Sequence, residues 1–398
     1  MQLAMNLLGI AVVIGLCWLL SWHRRDVNWR LVGKALAIQF LLAIFIVKVP
    51  VGQQVIATLS DGVTAVVNSG KDGVAFVFGD LADSSKGFIF VVQALANIIF
   101  VSGLVELLYY LGVIGFVVKK LGWVVRILIG STETESFIAT ANMFLGQTSS
   151  PVLISRYIGH MTRSEILVIL VAGMGSMDVS ILTGYVSLGI PMEYLVMGSM
   201  LVPVGSILIS KNILPEVETA ESLDELAIDG KGSNRSPIEA VINGASVGVT
   251  IVIGISASLI AIIGMVALLN MILGFAGLSL EIIFGYIFAP FGYLMGFDGA
   301  AALQEGTLLG QKIALNEFVA FSNLGSFIGT LDARTAMMAS ISLAGFANVG
   351  SMAICVGGVG ALCPGKKGVL SQLVLRGMIG GALLSILSAM LCGLVALF

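Results

Sequence analysis

Residues 131–160 read STETESFIATANMFLGQTSSPVLISRYIGH, and this stretch decides how the rest of the sequence is interpreted. Two short apolar arms flank the polar, proline-containing centre GQTSSP, and charged residues stand towards both ends. Neither arm supplies the roughly 20 apolar residues that a membrane-spanning helix requires. Irregular backbone survives at membrane depth only where protein or water satisfies its polar groups. The pattern therefore predicts a re-entrant hairpin over residues 131–161, which we call the first hairpin segment.

The composition also indicates a membrane protein. Of the 398 residues 58% are apolar and only 11% are charged, whereas soluble domains carry about 25% charged residues. The 49 glycines suit close packing between helices in lipid. A net charge of −3 without a basic stripe gives no sign of a nucleic-acid partner. We expect an all-α polytopic membrane protein that forms one helical bundle.

Eight further segments are long and apolar enough to cross a membrane. They are residues 3–22, 31–50, 88–113, 162–190, 191–211, 238–273, 335–362 and 368–398. The short loops that carry clusters of Lys and Arg face the cytoplasm under the positive-inside rule. This places both termini outside, in a multi-pass protein of the cell inner membrane. We expect residues 279–297 to form an interfacial helix that is broken by Pro290.

The order of these segments repeats with inverted topology. LGQ at residues 145–147 recurs at residues 309–311, inside a second hairpin segment that we place at residues 299–330. VAGMGSM at residues 171–177 is echoed by LAGFANVGSM at residues 343–352. Interruptions at matching positions of two inverted halves are a sequence pointer to a transporter site.

This repeat divides the chain into four regions. In chain order they are an N-terminal two-helix and outer amphipathic scaffold region, the first repeat, an acidic cytoplasmic loop and the second repeat. Their bounds are residues 1–87, 88–215, 216–237 and 238–398.

Polar side chains at membrane depth are costly and tend to line substrate or ion paths. Four groups of them interrupt the apolar segments: residues 147–150 (QTSS), 176–180 (SMDVS), 316–317 (NE) and 348–351 (NVGS). For a lone serine or asparagine, a hydrogen bond that only joins two helices is the simpler explanation. A carboxylate at such depth must pair, bind a cation or take up a proton, so we expect a function for Asp178 and Glu317. Lys312 is the nearest candidate partner for Glu317.

The residues that an enzyme would need are scarce. The only histidines are His23 and His160, and the four cysteines show no metal-binding spacing. An intramembrane protease would need a Ser–His pair, an Asp–Asp pair or an HExxH motif, and none occurs at a suitable spacing. A channel would not need two inverted hairpins with polar tips. We therefore expect a solute carrier and not an enzyme.

At this point the sequence resembles the concentrative nucleoside transporters, over essentially its whole length. The resemblance rests on ESF at residues 135–137, GQT at 146–148, NEFVAF at 316–321 and GFAN at 345–348 with Ser351. It implies a homotrimer whose protomers each have eight spanning helices and two re-entrant hairpins. It also implies import of nucleosides coupled to a proton or sodium gradient, with no cofactor besides the coupling ion.

The resemblance further implies roles for individual residues. Contacts to the nucleobase are implied for Gln147, Thr148 and Ile181. Contacts to the ribose hydroxyls are implied for Glu317, Asn348 and Ser351, with Phe346 as an apolar neighbour. A carboxylate accepts well from the paired hydroxyls of a ribose. Sodium would be bound by the side chains of Asn142 and Ser176 and by the carbonyls of Leu145 and Met177.

The chain departs from the family pattern at two positions. Ser149 stands where the family usually has a glutamate, and Asp178 stands where a neutral residue is usual. Asp178 lies three residues before Ile181, so on a helix the two share a face. One hypothesis is that Asp178 has taken over the missing carboxylate and accepts from the adjacent N1–H and amine of guanine, which predicts a preference for purine nucleosides.

A second hypothesis assigns Asp178 to cation coupling, either as a ligand of sodium or as a carrier of the coupled proton. The departures from the family pattern at Ser149 and Asp178 slightly favour protons as the coupling ion. An uncoupled or cation-coupled carrier of a different small polar solute is the alternative function.

Overall fold

The computed structural model describes residues 2–83, 85, 87–218 and 234–398, and the described residues form helices and loops without a strand. This confirms the all-α class. The N-terminal helices are α1 (Gln2–Leu19), α2 (Trp29–Lys48), α3 (Pro50–Phe78), α4 (Asn97–Tyr110) and α5 (Val113–Ile129). A 3-10 turn (Gly79–Ala82) follows α3, and a π-helical turn (Val91–Leu95) leads into α4.

The first repeat contains the broken elements that the sequence predicts. Its helices are α6 (Glu133–Ser149), α7 (Arg163–Met174), α8 (Val179–Ser187) and α9 (Met192–Ile213). The first hairpin segment consists of α6 and two 3-10 turns (Ser150–Ile154 and Ile158–His160), and α6 leaves helical geometry at Gly146. Residues 175–178, which we call the first break, separate α7 from α8.

The second repeat follows the same plan. Its helices are α10 (Pro237–Gly274), α11 (Leu280–Leu294), α12 (Gly299–Ala314), α13 (Glu317–Phe327), α14 (Ala333–Leu343), α15 (Val349–Leu362) and α16 (Lys367–Val395). The second hairpin segment consists of α12 and α13 with a 3-10 turn (Ile328–Thr330). Residues 344–348, the second break, separate α14 from α15.

Seven helical segments of the described chain are long and apolar enough to cross a membrane. They are Gln2–Leu19, Trp29–Lys48, Val91–Tyr110, Arg163–Ser187, Met192–Ile213, Pro237–Gly274 and Pro364–Val395. The eighth expected span, residues 335–362, is divided between α14 and α15, and α15 is apolar but short. The number of spans, the re-entrant path of the hairpin segments and the four-region division therefore stay predictions.

The expected break at Pro290 is wrong, because α11 continues through this proline. A proline removes one backbone hydrogen bond from a helix, and packing against a neighbouring helix allows this in a membrane. Here α11 packs on α12 through its small residues Gly285, Ala289 and Gly292.

The core surrounds α16, which is buried along most of its length and packs against α7, α9 and α14. The long helix α10 instead lies at the periphery against α4. The acidic loop expected at residues 216–237 lies mostly outside the described residues. Its first member, Glu216, accepts hydrogen bonds from Thr162 Oγ1 (2.8 Å) and Lys211 Nζ (3.3 Å).

Candidate functional site

The two hairpin segments and the two breaks meet around one cavity of about 320 Å³. All the side chains that the sequence suggests for substrate binding line this central cavity: Gln147, Thr148, Asp178, Ile181, Glu317, Phe346, Asn348 and Ser351. They come from four separate elements of the chain, so the polar interruptions do converge in space.

Short helices begin at the wall of the cavity, and each is capped by a cavity residue. Asp178 Oδ1 accepts from the backbone N–H of Ser180 (2.8 Å) and also from the Ser180 hydroxyl. Asn316 Oδ1 caps α13 at Val319 N (2.9 Å), and Asn348 Oδ1 caps α15 at Ser351 N (2.8 Å). The N-terminal ends of these half-helices carry partial positive charge, which suits a polar solute.

Gly146 shapes the tip of the first hairpin segment. Its φ of +65° lies in the left-handed region that favours glycine. A Cβ at this position would stand 3.1 Å from Cβ of Asp178 and 3.4 Å from its Oδ2. The glycine therefore lets the tip pack directly against the start of α8, where the Asp178 carboxylate enters the cavity wall.

Glu317 is buried and held from two sides. Its Oε1 accepts from the Tyr185 hydroxyl (3.2 Å), and its Oε2 accepts from Asn348 Nδ2 (3.0 Å). Lys312, the expected partner, attracts the Glu317 carboxylate electrostatically without a direct hydrogen bond, because its ammonium donates to Ser342, Ala344 and Ser385. The carboxylate of Glu317 is thus oriented by neutral donors.

The side chain of Gln147 forms hydrogen bonds with two residues of α15. Its Nε2 donates to Ser351 Oγ (3.2 Å), and its Oε1 accepts from Cys355 Sγ (3.3 Å). The neighbouring Thr148 is exposed at the cavity wall. The two hairpin tips are therefore each tied to the second break or to the helix that follows it.

Two of the residues suggested for a cation, Asn142 and Ser176, lie near the end of α7. Asn142 is fully buried, and its Oδ1 accepts from Ser150 Oγ (2.7 Å) and lies 3.7 Å from where a Cβ on Gly173 would stand. Ser176 Oγ donates to the carbonyl of that same Gly173 (3.1 Å). Both side chains thus adjoin Gly173.

Leu145 and Met177, whose carbonyls complete the suggested set, are also buried. An amide oxygen, a hydroxyl and backbone carbonyls are a donor set that fits a hard monovalent cation such as sodium.

One wall of the cavity comes from α10, which sequence reasoning did not include. Its contribution is Ile251, Gly254, Ile255, Ser258 and Ile262. These positions follow helical spacing on one face. Their only sequence signal is the small and polar pair Gly254 and Ser258, since α10 is apolar on nearly all sides.

Comparison with known proteins places this arrangement among solute carriers. Residues 8–81 match a family model described as "Na+ dependent nucleoside transporter N-terminus", and residues 194–393 match the corresponding C-terminus. Residues 91–192 match a gate region described as "Nucleoside recognition".

Two bacterial relatives and a solved structure are similar over nearly the whole chain. "Nucleoside permease NupC" of Helicobacter pylori is 35% identical over 98% of this chain and 97% of its own. "Putative nucleoside permease NupX" of Escherichia coli is 36% identical over 99% of both. A structure described as "CNTnw in an inward-facing substrate-bound state" superposes with a TM-score of 0.96 at 34% identity, covering 100% of this chain and 99% of the other.

Proposed function

Because this chain belongs to the concentrative, Na+-dependent nucleoside transporter family, we propose that it imports nucleosides through the central cavity by coupling them to a cation gradient. The family consists of transporters, which confirms that the chain is not an enzyme. The proposal requires no small molecule besides the nucleoside and the coupling ion.

The convergence of both hairpin segments and both breaks on one cavity is the observation that carries this proposal. Ligand pockets commonly have volumes of about 300–1,000 Å³, and the central cavity of about 320 Å³ is at the lower end of that range. Such a size fits a single small solute that fills the cavity, and six of the eight polar side chains that line it are uncharged.

The sugar is proposed to bind at Glu317, Asn348 and Ser351. The carboxylate of Glu317 can accept from the 2′ and 3′ hydroxyls together, while the Asn348 amide that holds it also offers an acceptor. Phe346 forms an apolar neighbour in the same wall. This half of the cavity distinguishes a ribose from a deoxygenated sugar.

The base is proposed to bind between Gln147, Thr148, Ile181 and Asp178. To contact a base, Gln147 has to exchange one of its bonds to Ser351 and Cys355. Oδ1 of Asp178 is used by Ser180, and Oδ2 lies towards Gly146 at the hairpin tip. If the Ser180 hydroxyl turns away from Oδ1, both carboxylate oxygens can accept from a base with two adjacent donors, so the proposal includes a preference for purine nucleosides of the guanosine type.

The coupling ion is proposed to be sodium, bound by Asn142, Leu145, Ser176 and Met177. Support comes from the Na+-dependent family models and from the fit of these neutral oxygen donors. The departures at Ser149 and Asp178 favoured protons, and proton coupling through Asp178 is the alternative. We also propose a homotrimer in the cell inner membrane with both termini outside, on the family resemblance and the distribution of Lys and Arg.

Uptake of labelled nucleosides into proteoliposomes tests the function. With an inward Na+ gradient, guanosine should accumulate above its external concentration, and a pH gradient in sodium-free buffer should give no accumulation. The reverse result would assign coupling to protons. Equilibration without accumulation, or uptake that no nucleoside competes for, would instead support the uncoupled carrier or the carrier of another polar solute.

A further inference from the structure

We propose that the Lys312 ammonium is a fixed cation that occupies, in the second repeat, the position at which the first repeat binds its coupling cation. The inference rests on the proposed sodium site and deepens it. Its consequence is that each protomer needs one diffusible cation per nucleoside, because the second cation position is filled permanently by a side chain.

The contacts of Lys312 are those of a bound cation. Its side chain is buried, with 1% of its surface exposed. Nζ donates to the carbonyls of Ser342 (2.8 Å) and Ala344 (3.0 Å) and to Oγ of Ser385 (2.7 Å). An ammonium group has three N–H donors, whereas a neutral amine has two. The shell of three oxygens therefore fits the charged form.

The two carbonyls lie at the C-terminal end of a half-helix. Ser342 is in the last turn of α14, and Ala344 begins the second break. The last carbonyls of a helix lack partners within the helix and carry partial negative charge. Lys312 supplies them with positive charge and donors, which is what a sodium ion does at the end of an unwound helix in other transporters.

Two carboxylates act on the Lys312 charge: Glu317 at the cavity and Glu305 on the same helix as Lys312. Glu305 is buried, precedes Lys312 by seven residues in α12, and accepts from Ser342 Oγ (2.6 Å). Residues seven apart on a helix share a face. Ser342 thus connects the two charges, since its carbonyl accepts from Lys312 and its hydroxyl donates to Glu305. A buried charge is tolerated when it is compensated in this way.

The equivalent place in the first repeat is the proposed sodium site. Counted from the interruption of each hairpin segment and not from the LGQ motif, Asn142 and Lys312 stand at corresponding places. Asn142 lies four residues before Gly146, and Lys312 lies four residues before Asn316, so each precedes its interruption by about one helical turn. Asn142 Oδ1 adjoins Gly173, the penultimate residue of α7, just as Lys312 bonds to Ser342, the penultimate residue of α14.

The two breaks also touch each other. The backbone N–H of Phe346 donates to the carbonyl of Ser176 (3.3 Å), and Gly345 packs against Gly175. The fixed cation therefore stabilises the break that carries Phe346 and Asn348, whether sodium is present or not. The break that carries Ser176 and Asp178 has no such side-chain cation and is stabilised only when sodium binds. Sodium should accordingly order the base side of the cavity, while the sugar side is already formed.

Nucleoside binding to purified protein, titrated with Na+ in choline buffer, tests this inference. The wild type should show a Hill coefficient for Na+ of about one. Lys312→Ala removes the ammonium and leaves space, so nucleoside affinity at low Na+ should fall at least about tenfold, and the Hill coefficient should rise towards two as a second ion fills the space. An unchanged affinity and coefficient, or a loss that neither Na+, K+ nor methylammonium restores, would overturn the inference.

Lys211→Ala is the matched control, because Lys211 is also a buried lysine and forms an ion pair with Glu135 at the base of α6. This variant should keep a coefficient of one. If Lys312→Ala does not fold, the double variant Lys312→Met with Glu305→Gln, which removes both charges, replaces it. This variant should bind nucleoside at least tenfold more weakly than the wild type, with a Hill coefficient for Na+ of one. A wild-type affinity for nucleoside would refute the fixed cation.

A wild type without any Na+ dependence would contradict the proposed sodium coupling alone. The fixed cation would then still be tested by the melting temperature of Lys312→Ala, which should rise with added monovalent cations more than that of the wild type does. An equal response of the two proteins would count against it.

Discussion

Asn348 Nδ2 donates to Glu317 Oε2 over 3.0 Å, and this bond joins the interruption of the second hairpin segment to the second break. Asn348 also caps α15 through its Oδ1, so the same side chain fixes the start of a helix and the direction of a carboxylate. Tyr185 from α8 holds the other oxygen of Glu317 (3.2 Å). The acceptor that we assign to the sugar is thus oriented before substrate binds, which reduces the entropy lost on binding.

Glu317→Gln should weaken the binding of ribonucleosides by roughly ten- to a hundredfold. The substitution removes a charged acceptor, and hydrogen bonds to charged groups contribute about 1.5–3 kcal/mol. Calorimetry with adenosine and 2′,3′-dideoxyadenosine separates sugar recognition from folding. The variant should bind the dideoxy compound about as well as the wild type does, since that compound cannot use the carboxylate. An equal loss for both compounds would contradict the assignment of Glu317 to the ribose.

Asp178→Asn should reduce guanosine uptake much more than uridine uptake, by a factor of about ten in relative affinity. Asparagine also caps helices well, so the start of α8 should persist while the negative acceptor is lost. The measurement is competition by each nucleoside against a common labelled substrate. Ser180→Ala is the control, because it removes a donor to Asp178 but keeps the carboxylate. If both nucleosides lose affinity equally in Asp178→Asn, the purine hypothesis is wrong.

Asn142→Ala and Ser176→Ala should each raise the Na+ concentration needed for half-maximal nucleoside binding by about tenfold. Each variant removes one proposed oxygen ligand, and saturating Na+ should restore most of the nucleoside affinity. Ser199→Ala provides a matched control, since Ser199 is a buried serine in α9 whose hydroxyl donates to the carbonyl of Leu195 (3.1 Å). A half-maximal Na+ concentration that stays at the wild-type value in both ligand variants would place the ion elsewhere.

The sequence was informative wherever a polar or small residue interrupts an apolar run. This is why the two hairpin segments and the two breaks could be proposed before the structure was known, whereas the roles of single cavity residues, such as the apolar Ile181 and Phe346, were implied by the family resemblance. The partners of Lys312 could not be predicted from the sequence, because its acceptors Ser342 and Ser385 lie 30 and 73 residues further along the chain. The contribution of α10 was missed for a different reason: an apolar helix that faces lipid and cavity alike shows no periodicity.

Gly345→Ala should destabilise the protein more than an alanine does at a glycine that also has a positive φ but has free space around it. Gly345 has a φ of +102°, and a Cβ there would stand 2.7–3.0 Å from backbone atoms of Gly175. A left-handed conformation costs a residue with a side chain about 1–3 kcal/mol, and here the collision with backbone at the crossing of the two breaks is added.

Gly277→Ala is the matched control for that substitution, because Gly277 has a φ of +68° but nothing within 4 Å of the added atom. Thermal unfolding in detergent should therefore give a small decrease in melting temperature for Gly277→Ala and a clearly larger one for Gly345→Ala. Where Gly345→Ala remains folded, its nucleoside affinity should fall as well, since Phe346 and Asn348 follow directly in the second break. Equal decreases in melting temperature would mean that the two breaks can move apart without a loss of stability. The close contact between Gly345 and Gly175 would then not be needed to keep the cavity residues in place.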